Sequence, residues 1–150
     1  MATKYGINAT KRAVTQPPER PEQGQVKADV LFAYDKYTLS SDLAAADVIK
    51  MMKLPEGARI IDAILVCDDL DASGGTLDVG WESNGSDAAD ADGMFANVDV
   101  TSASVTRMSA AVVPGVFQKF AAETQISITV DGDTDATSGD IELGVWFVID

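Results

Sequence analysis

Residues 74–82 read Gly74-Gly-Thr-Leu-Asp-Val-Gly-Trp-Glu82, and within them Leu77, Val79 and Trp81 alternate with polar or small residues. A period of two puts those three side chains on one face of an extended chain, so the segment reads as a half-buried strand opened by a glycine turn. Upstream, Arg59 to Cys67 (RIIDAILVC) is the strongest strand in the protein. Asp47 to Leu54 (DVIKMMKL) is another, ended by Pro55-Glu-Gly57, where proline and glycine make a turn. Val26 to Thr38 is rich in Val, Leu, Phe and Tyr, types that fit a pleated surface. Downstream, Ser83 to Gly93 is a loop of glycine, serine and aspartate, and Met94 to Thr101 fits either a short strand or a helical turn. Ser104 to Ala110 and Gly115 to Phe120 are weaker strands separated by Pro114. Gln125 to Val130 and Ile141 to Ile149 bracket an Asp- and Gly-rich connection, as a final antiparallel pair would.

These segments predict about eight strands and one short helix at Ser41 to Ala46, where Ser40 or Ser41 caps a single turn. The fold class is therefore all-β: a two-sheet β-sandwich, jelly-roll-like, with an extended N-terminal arm. Strand number alone does not separate a jelly roll from an immunoglobulin-like sandwich. The expected core is Val30, Phe32, Ile61, Ile64, Val66, Leu77, Val79, Trp81, Ile126, Ile128, Val145 and Phe147.

The chain has 150 residues, enough for one domain with a real core, and 46% of them are hydrophobic. A mean hydropathy of +0.04 belongs to a globular protein and not to a depleted, disordered one. No apolar run approaches the roughly 20 residues needed to cross a bilayer, so no membrane partner is expected. The opening residues carry no apolar stretch of the secretory kind, and an intracellular start is expected. A single cysteine, Cys67, lies in a strand-like run and reads as a small buried hydrophobe.

Charge divides the chain. Residues 1–59 hold nine basic and seven acidic side chains, whereas residues 60–150 hold two basic and seventeen acidic ones. An acidic body of this kind repels polyphosphate, so direct nucleic-acid binding is not expected. The first 25 residues form a separate arm, followed by the sandwich domain at 26–150. Thr15 to Gly24 (TQPPERPEQG) packs three prolines among polar residues, which favours an extended, polyproline-like path. The arm is basic, with Lys4, Lys11, Arg12 and Arg20 against Glu19 and Glu22. Lys4, Tyr5, Lys11, Arg12, Pro17, Pro18 and Arg20 are its candidate partner-binding residues, suited to clasping an acidic neighbour or another copy of the chain. A plain solvated terminus fits the same composition.

Catalysis finds little support. Histidine is absent, which removes the commonest neutral-pH base, the serine and cysteine triads, and every imidazole metal site. Phosphate-cradling glycine motifs are also missing. No catalytic residue and no cofactor is assigned, with calcium the one exception. Asp131-Gly-Asp133-Thr-Asp135-Ala-Thr-Ser-Gly-Asp140-Ile-Glu142 places acids at positions one, three, five and twelve of a calcium loop, and Asp131, Asp133, Asp135 and Glu142 are the candidate ligands. Position six is Ala136 where such a loop needs glycine, and a solvated hairpin connection explains the same residues. Asp87, Asp90 and Asp92 carry the same two readings.

Several segments together resemble a family. Asp47 to Asp62 (DVIKMMKLPEGARIID), followed by CDDLDASGGTLDVGWESNGSDAADADG, resembles a recurring pattern in small virion structural proteins of tailed bacteriophages. There a KLPxGA turn joins two strands, and a TLDVGW strand and an Asp-rich loop follow. The opening KYGINATKRAV and the closing GVWFVID are similar too, and about half the chain is covered. The resemblance implies a head decoration, or cement, protein: a β-sandwich that oligomerises, often as a trimer, on the outer capsid surface. It implies the major capsid protein as partner, and a protein made in the host cytoplasm. Another virion part, in the tail or at head completion, is the first alternative; a calcium-dependent carbohydrate-binding jelly roll is the second.

Overall fold

The computed structural model describes residues 29–70, 74–111 and 113–150. The eight strands are β1 (Leu31–Thr38), β2 (Val48–Leu54), β3 (Ala58–Cys67), β4 (Thr76–Trp81), β5 (Asp90–Asp99), β6 (Ser104–Arg107), β7 (Thr124–Asp131) and β8 (Asp140–Ile149). They form two four-stranded antiparallel sheets. Sheet A runs β1-β8-β3-β6 and sheet B runs β2-β7-β4-β5. This interleaved order, with the first and last strands adjacent, is that of a jelly roll.

Sequence patterning explains the core. β4 and β7 alternate cleanly, and β8 places Ile141, Leu143, Val145 and Phe147 between the sheets. Leu77, Val79, Trp81, Ile126, Ile128, Val145 and Phe147 are buried as expected. Large side chains with no solvent contact, among them Leu54, Ile60, Leu70 and Phe120, complete the interior. The corner between β2 and β3 carries the chain from sheet B to sheet A. Gly57 occupies it at φ +79°, and a Cβ there would lie 2.8 Å from the Asp150 carbonyl oxygen. Only glycine meets both demands.

Five of the expected core positions are not buried, for two reasons. In β3 the pairing with β8 shifts between Ile60 and Asp62, so that one residue bulges out of the ladder. A bulge reverses the alternation beyond it. Ile60 faces inward on one side of the bulge, and Ala63, Leu65 and Cys67 do so on the other, which leaves Ile61, Ile64 and Val66 only half-buried. In β1 the inward side belongs to Ala33 and Tyr37, which pack on the core, and Val30 and Phe32 stand on the outer face.

Three local expectations also change. Ser41 to Ala46 is not helical. Leu43 N–H donates to Thr134 Oγ1 (3.0 Å), Thr134 N–H donates to the Leu43 carbonyl (2.8 Å), and Ala45 N–H donates to Asp133 Oδ1 (2.7 Å). The groups a helical turn would use are committed to the loop after β7. Met94 to Asp99 resolves to strand, as part of β5, and Val100 and Thr101 lie beyond its end. Gly115 to Phe120 is a loop with a single bridge from Lys119 to Arg59, since Phe117 adopts φ 64°, which no strand holds. It is fastened to β3 by Phe117 N–H to Ile60 O (3.0 Å), Ile60 N–H to Gln118 O (2.9 Å) and Phe120 N–H to Ala58 O (2.9 Å).

Candidate protein-binding face

The outer face of sheet A departs from the polar surface that an exposed sheet normally shows. Register places its outward side chains in rows. Phe32 lies opposite Trp146, Tyr34 opposite Gly144, and Lys36 opposite Glu142. Across β8, Ile64 lies opposite Gly144 and Val66 opposite Glu142; across β3, Arg107 lies opposite Ile64 and Val105 opposite Val66. Phe32 is 52% exposed, Tyr34 54% and Val105 65%. Aromatic and branched groups of the two edge strands are thus in contact with water, with the half-buried Trp146, Ile64 and Val66 of the central strands between them. Contiguous apolar surface of this sort marks an interaction site, unlike scattered single residues.

The surface is ordered by its own contacts. The rings of Phe32 and Trp146 lie 4.8 Å apart at 41°. The Arg107 guanidinium carbon sits 5.1 Å from the Trp146 ring centroid, a cation–π geometry. A Cβ on residue 144 would come within 2.7 Å of the Phe32 ring, so Gly144 leaves the space into which that ring settles. At one end of the face, Tyr34 donates to Glu142 Oε2 (2.8 Å), and Lys36 pairs with Asp140 (2.6 Å). The hydrogen bond to a carboxylate raises the Tyr34 pKa, and the one from Lys36 lowers that of Asp140.

Sheet B shows the ordinary pattern. Lys50 pairs with Glu82 (3.1 Å) and Lys53 with Glu123 (2.8 Å), while Gln125, Ser127 and Thr129 line the same side of β7. The contrast between the two outer faces singles out sheet A.

Asp62 holds Arg107 in place. Its carboxylate accepts from Arg107 Nη2 (2.5 Å) and Nε (3.0 Å) and from Ser109 N–H (3.1 Å). Burial pushes the Asp62 pKa up, but the bonds from Arg107, Ser109 and Ala63 outweigh it and hold the carboxyl below its ordinary value. A depressed folded-state pKa gives stability that is complete above the unfolded value and lost as pH falls through the folded one. The stability difference between the wild type and Asp62→Asn is therefore expected to be largest at neutral pH and to close as the pH falls below the ordinary carboxylate range and through the depressed folded-state value, measured by thermal melts across the acid range.

Lys4, Tyr5, Lys11, Arg12, Pro17, Pro18 and Arg20 lie outside the described residues. Asp133 accepts from Ala45 N–H as described above, Asp131 ends β7 as an exposed residue, and Glu142 stands on the outer face of sheet A beneath Tyr34. Among the described residues, no three His, Cys, Asp or Glu side chains group as they would around a metal ion. Asp87 accepts from Ala121 N–H (2.8 Å) and Asn84 Nδ2 (2.7 Å), pinning its loop to the start of β7. Burial, followed by the hydrogen bond with Asp92, raises the Asp90 pKa. Burial lifts Cys67 to about 12, so its thiol stays protonated and packs as a hydrophobe. The sequence reading missed Tyr34, Val105, Arg107, Gly144 and Trp146 as parts of one surface. The residue types were visible, but which side each took was not.

No protein-family model matches the chain, and no curated protein sequence does either. Solved structures do. A chain in the capsid of Ralstonia phage GP4 is 31% identical, with a TM-score of 0.68 over 83% of this chain and 88% of that one. A chain in the capsid asymmetric unit of cyanophage Pam1 shares the fold at 21% identity, with a TM-score of 0.66 over 92% of this chain and 99% of that one. One in the acid-stable capsid of Helicobacter pylori bacteriophage KHP30 shares it at 16% identity and a TM-score of 0.51, over 81% and 94%. Fold and similarity together define a class, the structural proteins of phage virions. Within that class, this chain belongs to the family of the jelly-roll protein in the Ralstonia phage GP4 capsid.

Proposed function

We propose that this chain is a capsid decoration, or cement, protein, which binds the outer surface of the assembled head and stabilises it by bridging major capsid subunits. Made in the host cytoplasm, it joins the head as a homo-oligomer, a trimer being the expected form, and acts by binding without chemical catalysis. The observation that carries this reading is the aromatic outer face of sheet A. It is a preformed, desolvation-ready surface on a protein whose other sheet carries the Lys50–Glu82 and Lys53–Glu123 ion pairs and a single exposed Val48 on its outer side. Buried aromatic and arginine anchors supply most of the energy in protein interfaces, and Phe32, Tyr34, Trp146 and Arg107 are of those types. The resident β-sandwich gives them a rigid platform, so little ordering cost is added on binding.

Sedimentation with undecorated capsids tests the reading. The wild type is expected to pellet with the particles at micromolar concentration. A Phe32→Ser/Val105→Ser variant should bind more weakly by about 2 kcal/mol, roughly 30-fold, if these residues are central to the contact. Val105 is mostly exposed and Phe32 half so, its ring resting on Trp146, so the melting temperature should fall by only a few degrees. Lys50→Ser, on the opposite sheet, should bind as the wild type does. Wild-type protein left in the supernatant would reject the proposal.

A further inference from the structure

We propose that the outer face of sheet A is the docking site of the chain's own proline-rich segment, Thr15 to Gly24. The contact is intramolecular and covers this face in the free protein, so the coat binding proposed above would have to displace the segment.

Chemistry supplies the first reason. Residues 17–21 read Pro-Pro-Glu-Arg-Pro. Proline-rich chains are recognised by shallow surfaces lined with tyrosine, tryptophan and phenylalanine, because a preformed polyproline helix loses little entropy on stacking its rings against aromatic ones. Phe32, Tyr34 and Trp146 form such a surface, with Phe32 and Trp146 in ring contact and the Phe32 ring lying over Gly144. No comparable aromatic group lies on the outer side of sheet B among the described residues.

Reach supplies the second. The described chain begins at Asp29 and enters β1 at the Phe32 row, at the edge of sheet A. From Pro21 to Phe32 there are eleven residue steps, which extend to roughly 35 Å. The four strands of the sheet are about 15 Å across, so the segment can lie anywhere on the face without strain. A tether of this length holds the segment at an effective concentration in the millimolar range, so at micromolar protein the chain's own copy outcompetes a neighbour's.

Charge supplies the third. Residues 1–28 carry five basic and two acidic side chains, whereas residues 29–150 carry six basic and twenty-two acidic ones. Arg20 sits within the proline segment, and the face is bordered by the carboxylates of Asp140 and Glu142. A basic segment is drawn to this body, and a second acidic body is not.

The test uses the full chain in solution. Nuclear Overhauser contacts are expected between the ring protons of Pro17, Pro18 or Pro21 and the aromatic protons of Phe32, Tyr34 or Trp146, unchanged on dilution. A full-length Pro17→Ser/Pro18→Ser/Pro21→Ser variant should lose them, and acrylamide should then quench Trp146 more strongly, while the melting temperature stays close to that of the wild type. Absence of these contacts, with equal quenching in both proteins, would overturn the proposal. So would contacts seen only between differently labelled molecules in a mixed sample, which would assign the segment to a neighbouring copy. Capsid sedimentation by the same proteins is scored separately, so failure of the intramolecular contact and failure of the capsid reading are distinct results.

Discussion

Phe120→Ala is expected to lower stability by about 3–5 kcal/mol, the range for emptying a large aromatic site in a core that cannot collapse around it. Phe120 has no solvent contact and meets the Trp81 ring edge-on at 5.4 Å and 72°. Its backbone is equally committed: its N–H donates to Ala58 O (2.9 Å) and its carbonyl accepts from Gly57 N–H (3.0 Å). Relaxation into the vacated space would have to break those bonds, and the Trp81 indole is itself held by its N–H to Ala88 O at 3.0 Å. For a chain of this size each kcal/mol moves Tm by about 2–4 °C, so a fall of roughly 10 °C is expected in calorimetry. A loss below about 1 kcal/mol would show that the loop does not seal the sandwich as described.

Arg59→Met carries the second largest expectation, a loss of about 3 kcal/mol or more. The Asp150 carboxylate is 0% exposed and is bound by Arg59 Nε (2.7 Å) and Nη2 (2.5 Å), with Lys119 Nζ further away at 3.8 Å. Its Oδ1 finds no hydrogen-bond donor among the described residues. Removing Arg59 strands most of a buried charge, and Lys119 offsets only part of that cost. Arg59 also donates to the Phe117 carbonyl (3.2 Å), which braces the loop at its left-handed residue. Adding Asp150→Asn to Arg59→Met should recover much of the loss, because the stranded charge is gone. If the two substitutions simply add in denaturant melts, the pair is not coupled and the account fails.

Strand existence was legible because alternation at period two is a local property, which β4, β7 and the first half of β8 carry, while the continuous apolar run Val145 to Ile149 marks the rest of β8 as a strand by composition. The side each strand turns inward is not local where a bulge intervenes. In RIIDAILVC every second residue is apolar in both phases, so only the irregular pairing against β8 at Ile60 and Asp62 decides that Ala63, Leu65 and Cys67 are interior. β1 was misread for a related reason: Leu31, Ala33 and Tyr37 on one side are no more apolar than Val30, Phe32 and Tyr34 on the other. Both sides of that strand meet apolar surface, one in the core and one on the candidate binding face, so the binding face was hidden among residues that looked like core. Ser41 to Ala46 has helical composition, but its backbone donors are claimed by Thr134 and Asp133, some ninety positions away, which no local reading detects. The acidic loops were visible as aspartates, and their bonding to nearby backbone was not.

Because β8 lies between β1 and β3, the final ten-residue strand of the described chain is the centrepiece of sheet A. While the ribosome is still synthesising earlier segments, β1 has no neighbour within its sheet, and the aromatic side of that sheet cannot assemble. Closure must await the emergence of Asp140 to Ile149, and a topology dominated by such distant pairings folds slowly. The aromatic surface of the sheet therefore forms only once β8 has emerged and paired on both sides.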